Sequence, residues 1–262
     1  ISFRKISPQK IKQLSSPYFF LKDVTPGNGG VTTGGLRGNR FTLLIRTPQN
    51  FLEKNTIDAF AKNLSHIRLS GFANFFYLQR FGTPRLQNYV WGLSILRGEY
   101  EQAVHGALTY QAERELTFFK QLRAQIAQNW GNWESIEALI APFPIIFRHD
   151  LKLVRYLVLH PTDFSGALSQ ISDQVVLWVY ALASRYFNEA ISHHRASKKP
   201  LPSTLPLFLS YNKNSWTPYE AELRRDGIFP PPLHNLKPFP FLQVRDRSVP
   251  TGDTPTLHGI QT

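Results

Sequence analysis

Asn74-Phe75-Phe76-Tyr77-Leu78-Gln79-Arg80-Phe81-Gly82 sets four aromatic side chains, one arginine and two amides within nine residues. Gly71 and Gly82 bound the stretch, and helical patterns lie on either side of it. Such density is unusual for a loop that faces only water. Enzymes that act on an RNA base extrude it, stack it on an aromatic ring and read its Watson–Crick edge with amides. The run carries both kinds of group. Aromatics between two helices also serve as core, and composition alone leaves the two readings open.

Upstream, the β-branched and aromatic residues from Phe41 to Ile45 follow a glycine-rich stretch from Gly27 to Gly38, which predicts a strand entered from a turn. Asn55 or Thr56 can cap a helix whose apolar positions Ile57, Phe60, Ala61 and Leu64 fall at helical spacing. A strand followed by a helix points to an α+β fold. Downstream, the chain from about Leu86 to Leu168 is mostly helical in pattern, with breaks at Gly131, at Pro142 and Pro144, and at Pro161. Val175, Trp178, Val179, Leu182, Tyr186, Phe187, Ala190 and Ile191 form one apolar stripe, the clearest helix of the sequence. A basic stretch from His193 to Pro202 ends it. Leu205 to Leu209 reads as a short strand. The tail from Phe229, rich in proline and basic residues, reads as loop, with its last dozen residues disordered. There is no internal repeat.

The chain has 262 residues, of which 42% are apolar and 20 are Phe, enough to bury a substantial core. Lys and Arg number 30 against 18 Asp and Glu, a formal charge of +12 that favours a polyanionic partner, either nucleic acid or an anionic membrane surface. The lack of cysteine excludes disulfides, thiolate metal sites and cysteine nucleophiles, and is compatible with a cytoplasmic location. No apolar run reaches the roughly 18 residues a membrane span needs, and the first residues form no signal-peptide core. A basic amphipathic helix with a clean apolar face, which membrane docking requires, is not found. There is no methionine, not even an initiator, which leads to the expectation of a fragment.

Several residues invite other readings. His193 and His194 with Arg195, Lys198 and Lys199 suggest a phosphate-facing basic turn more than a metal pair, because adjacent histidines point to different sides of a helix. No metal site is expected. Trp130, Trp133, Trp178 and Trp216 read as packing residues. Glu113 and Glu115 with Arg114 read as a solvated helical face.

The opening run resembles the N-Y-F-G-x-Q-R-F-G motif of the TruD family of tRNA pseudouridine synthases, with Asn74, Phe76 and the Gln79-Arg80-Phe81-Gly82 ending in register. Leu36-Arg37-Gly38-Asn39-Arg40-Phe41 is similar to the family's L-R-G-N-x-F element. Ala181 and Ser184-Arg185-Tyr186-Phe187-Asn188 resemble its A-x-Q-S-x-x-F-N helix. The three matches are in order and span about 150 residues.

The resemblance implies an isomerase that converts uridine to pseudouridine in tRNA, with uridine 13 as the target, acting without metal or organic cofactor and implying no protein partner, so that a monomer is expected. A carboxylate nucleophile assists breakage of the glycosidic bond, the base rotates, and its C5 carbon joins the ribose. The family places that aspartate in a motif like G-x-K-D-x-x-A-x-T-x-Q, which this chain does not contain. Lys22-Asp23 followed by Thr25 echoes it faintly, but Asp23 stands too close to Leu36 and reads as a turn residue. By resemblance Asn74 and Phe76 are the catalytic-site positions that meet the base, Asn by hydrogen bonds and Phe by stacking. Arg37, Asn39, Gln79, Arg80, Lys198 and Lys199 are candidate RNA contacts, with loop-holding roles open for Asn39, Gln79 and Arg80. Residues 1–90 would form part of the catalytic pseudouridine synthase domain, a mixed or antiparallel sheet with helices. Residues 91–262 would form most of the largely helical inserted TRUD domain. The chain departs from the pattern at Tyr77, where glycine is usual, and at Ala183, where glutamine is usual. An inactive RNA-binding relative is the alternative.

Overall fold

The computed structural model describes residues 54–83 and 85–253, and ahead of them the antiparallel strands Ser15–Ser16 (β1) and Phe19–Phe20 (β2). The chain divides into two compact units, residues 1–58 and 59–262. The expected strand at 41–45, the glycine-rich stretch at 27–38 and Asp23 lie outside the described residues. The helix Lys54–Ser70 (α1) starts just ahead of the expected caps, with Asn55 and Thr56 inside its first turn. Ile57, Ala61 and Leu64 of its stripe are half-buried, but Phe60 is exposed. Gly71 ends it with a left-handed φ of 70°, and the short strand Phe72–Ala73 (β3) follows.

Seven helices then run from Asn88–Arg97 (α2) through Tyr100–Thr109 (α3), Thr117–Gln128 (α4), Trp133–Ile140 (α5), Arg148–Leu159 (α6) and Phe164–Ser169 (α7) to Ser172–Ala196 (α8). The expected breaks at Gly131, at Pro142 and Pro144, and at Pro161 fall between α4 and α5, α5 and α6, and α6 and α7. Side-chain caps sharpen two starts. Asn132 accepts from the Ser135 N–H, and Asp163 accepts from the Gly166 N–H.

The 25-residue α8 is the axis of this body. Its stripe is present, and Ala181, Ala183 and Ser184 are buried as well, so the helix is enclosed on more than one side. Its closest partner is α2. Trp91 and Trp178 pack edge to face at 5.0 Å, and a Cβ placed on Gly92 would stand 2.2 Å from the Trp178 carbonyl oxygen. Backbone cannot yield as a flexible side chain does. Gly92→Ala is therefore expected to cost at least about 1–3 kcal/mol of overpacking, read as a lower midpoint in urea unfolding.

After α8 come Thr204–Pro206 (β4), Lys213–Trp216 (α9), Glu220–Arg225 (α10), Ser248–Pro250 (β5) and Gly252–Asp253 (β6). With three two-stranded antiparallel ribbons among the described residues and a helical body, the fold is α+β. The tail from Phe229 is irregular up to β5 except for the 3-10 turn Leu233–Leu236, in line with the loop expected, but it is packed against the body. Leu233, Leu236, Phe239 and Leu242 are buried. Asn235 donates its Nδ2 to Leu96 C=O at 2.9 Å, and its own C=O accepts from the Tyr100 hydroxyl at 2.7 Å. The prolines obscured a spaced apolar series that packs on the α2–α3 corner. Residues 254–262 lie outside the described residues.

Glu115 also departs from expectation. The chain turns between α3 and α4, and the carboxylate faces inward onto Arg123 Nε at 2.9 Å, with both side chains less than one tenth exposed. Trp91, Trp133 and Trp178 are buried, while Trp130 and Trp216 are half-buried. Among the described residues no helix is long and apolar enough to cross a membrane.

Candidate functional site

The aromatic run begins where β3 ends. β3 pairs antiparallel with β6, and β5, just before β6, pairs antiparallel with β4. One stretch, residues 248–253, thus serves two ribbons. Asn74 extends the pairing: its N–H donates to Thr251 C=O at 2.8 Å, and its Nδ2 donates to Pro250 C=O at 3.0 Å. Thr251 is itself buried, donating its hydroxyl to Pro202 C=O and its N–H to Ser203 C=O. Asn74 is half-buried. A carboxamide has two donor hydrogens and an acceptor oxygen, so the Pro250 bond does not exhaust it.

Phe76 is held from α8. Its N–H donates to Asn188 Oδ1 at 2.9 Å, and its C=O accepts from Asn188 Nδ2 at 2.8 Å. Phe187, fully buried, meets the Phe76 ring edge to face at 5.3 Å. The Arg80 guanidinium lies 5.0 Å from the Phe76 ring centroid, within cation–π range. Arg80 therefore has a loop-holding contact. The Gln79 side chain is exposed, and its C=O accepts from the Gly82 N–H.

Part of the apolar surface of the run lies outside the core. Phe75 is 43% exposed, Tyr77 78% and Leu78 46%, while Phe76 and Phe81 are half-buried. Tyr77 has φ −96° and ψ 173°, an extended conformation open to any residue, so the usual glycine is not required there. Glycine is required at the end of the run. Gly82 has φ 85°, and a Cβ on it would fall 2.4 Å from Asn88 Oδ1. The second departure, Ala183, lies buried in α8.

Beside the clamp, α8 carries a mixed-charge network. Arg185 Nε donates to Glu189 at 3.0 Å, and Arg185 Nη1 lies 3.3 Å from Asp226. Arg225 bridges Asp226 and Glu189, and the Tyr186 hydroxyl donates to Asp226 at 2.9 Å. Burial pushes the Asp226 carboxyl up, but hydrogen bonds from Arg225 and Tyr186 and the charge of Arg185 outweigh it and hold it below the ordinary carboxylate range. Two arginines against two carboxylates leave this patch neutral. Arg185 also covers the Tyr89 ring at 4.9 Å, and Tyr89 in turn meets Phe81.

Of the other sequence-derived candidates, Arg37 and Asn39 lie outside the described residues. Lys198 and Lys199 are exposed just beyond the C-terminus of α8, where their N–H groups donate to the Arg195 and His194 carbonyls. His193 Nδ1 lies 2.8 Å from the buried carboxylate of Glu222. Sequence reasoning placed Asn188 in a motif without a role, and it gave no sign of the Asn74 contacts to residues 250 and 251. The ordered recurrence of two family-like motifs was the available signal for the first, and no local signal existed for the second.

Comparison with known proteins gives this geometry its context. Residues 1–207 match the family described as tRNA pseudouridine synthase D (TruD). The chain is 32% identical over 159 residues to "Probable tRNA pseudouridine synthase D 2" of Methanocaldococcus jannaschii, covering 60% of this chain and 36% of that protein. It is 27% identical over 206 residues to "Probable tRNA pseudouridine synthase D" of Methanopyrus kandleri, covering 78% and 46%. The chain thus spans less than half the length of these curated relatives. Its fold is similar to the crystal structure of the TruD protein of Methanosarcina mazei, with a TM-score of 0.62 at 16% identity, over 75% of this chain and 55% of that one. With the family match extending over most of its length, the chain belongs to the TruD family of pseudouridine synthases.

Proposed function

We propose that the protein carrying this chain isomerises uridine to pseudouridine in tRNA, at uridine 13, and that this chain supplies the surface that holds the base. The observation that carries the reading is the exposure of the aromatic run. Apolar rings are normally buried, yet Phe75 and Tyr77 stand in solvent beside a half-buried Phe76 whose backbone is fixed from α8. Fixed, accessible rings are what an extruded base needs. Phe76 stacks on the uracil and Asn74 hydrogen bonds its edge. An aspartate in a motif like Lys-Asp-x-x-Ala-x-Thr-x-Gln, which this sequence lacks and without which this chain is inactive alone, assists breakage of the glycosidic bond before C5 joins the ribose.

Arg80, Gln79, Lys198, Lys199, Arg37 and Asn39 meet the RNA backbone, in keeping with the +12 formal charge. Residues 1–90 belong to the catalytic domain and 91–262 to the inserted TRUD domain, with tRNA as the partner. The test is incubation of the protein with an unmodified tRNA transcript, followed by position-resolved detection of pseudouridine. Conversion at uridine 13 is expected. Tight tRNA binding with no conversion at any uridine would instead establish the inactive RNA-binding relative.

A further inference from the structure

We infer that Asn188 is a positioning residue whose carboxamide fixes the plane of Phe76 for the base. The inference rests on the proposed stacking role of Phe76. Between β3 and the 3-10 turn Leu78–Phe81 the run has no ladder of its own. Asn74 N–H goes to Thr251, and Arg80 N–H goes back to Tyr77 C=O. Phe76 lies between these two anchors, and its N–H and C=O are both served by one side chain 112 residues away.

The clamp is matched to one residue type. Asn188 accepts with Oδ1 at 2.9 Å and donates with Nδ2 at 2.8 Å, the complementary pair that a backbone partner in a strand would offer. A carboxylate could accept but not donate, and an aliphatic side chain could do neither. The neighbour Phe187 is fully buried and sets an edge against the Phe76 ring, so consecutive residues of α8 hold the backbone and the ring of the same residue. Because α8 is the enclosed axis of the helical body, its Asn188 is a rigid reference point. Loss of the clamp leaves the ring in place on average but lets the backbone beneath it wander, and catalysis depends on alignment at the level of about 1 Å.

The test uses the protein carrying this chain, with single-turnover pseudouridine formation at saturating tRNA, the tRNA Kd and the melting temperature as readouts. Asn188→Ala is expected to slow turnover by about 10–100-fold with Kd within about 3-fold of wild type, since phosphate contacts supply most of the affinity. In a Phe76→Leu background, the same substitution is expected to add no more than about 2-fold, because residues acting through one another are not additive. Asn188→Asp, normalised to wild type at each pH, is expected to recover as pH falls, since the neutral carboxylic acid restores one donor and one acceptor. Full additivity with Phe76→Leu, a flat Asn188→Asp profile, or wild-type turnover in Asn188→Ala each overturns the inference. Normal turnover by Phe76→Leu instead removes the stacking role. A slow Asn188→Ala beside it then overturns the clamp too, because the amide must act by another route.

Discussion

Phe76→Ala is expected to lower pseudouridine formation by about 100-fold or more while leaving most of the affinity for tRNA. The ring is half-buried and touches Phe187 and Arg80, so its removal strips the surface against which the uracil is proposed to lie without opening the centre of the helical body. Stacking of one base on one ring contributes about 1–3 kcal/mol, and the loss of alignment adds to it. Affinity is dominated by phosphate contacts and counterion release, which Phe76 does not make. Single-turnover rates and Kd at two salt concentrations separate these effects, and near-ultraviolet circular dichroism checks the packing around Phe187. A variant that converts tRNA at the normal rate places the base elsewhere.

Arg123→Ala is expected to cost about 3–5 kcal/mol, the range for breaking a buried ion pair by removing one partner. Arg123 donates to Glu115 at 2.9 Å and to the Leu108 carbonyl at 2.9 Å, and lies 3.8 Å from Asp150. It thereby satisfies the last carbonyls of α3 while neutralising two inward carboxylates. Burial already pushes the Asp150 carboxyl above its ordinary value, against the pull of Arg123 and Arg85. Arg85 shares the site, donating to Ala107 C=O, and burial with the like charge of Arg123 holds its guanidinium down to about 10, still charged at neutral pH. Among the described residues, Arg123 is the cation at hydrogen-bond distance from Glu115. The measurement is urea unfolding. Arg123→Met combined with Glu115→Leu is expected to recover much of the loss, because a buried pair replaced by apolar groups of similar size is often neutral. A cost below about 1 kcal/mol for Arg123→Ala would mean the pair behaves as an exposed one.

The helical half of the fold was legible because its signals are local. Gly131 and the prolines at 142, 144 and 161 mark the helix breaks, and the stripe from Val175 to Ile191 identified α8. Glu115 was misread because its charge suggested solvent, and only the arrival of Arg123 from the next helix makes an inward carboxylate tolerable. The packing of the tail escaped notice for a similar reason. Prolines suppress regular structure, but the apolar series Leu233, Leu236, Phe239 and Leu242 is buried with no need of a long helix. At the candidate site, the run singled out in the sequence contains the exposed rings of Phe75 and Tyr77, but the side chain that holds Phe76 gave no local signal. Asn188 sits 112 positions from Phe76, and a single amide has no periodicity to betray its partner.

The stretch from Ser248 to Asp253 has a consequence for biosynthesis. Asn74 is joined to Pro250, 176 positions later, and among the described residues β3 pairs with β6. During synthesis from the N-terminus, α2 to α8 can begin to collect around their core before the residues that pair with β3 and Asn74 at 250–253 have been made. The helices therefore start to assemble first, and the edge that carries Asn74 closes after them, by one of the longest loop closures among the described residues. A nascent chain halted before residue 248 would carry the aromatic run with Phe76 able to reach Asn188 but Asn74 lacking its partners, an order of assembly that delays the site until the scaffold behind it exists.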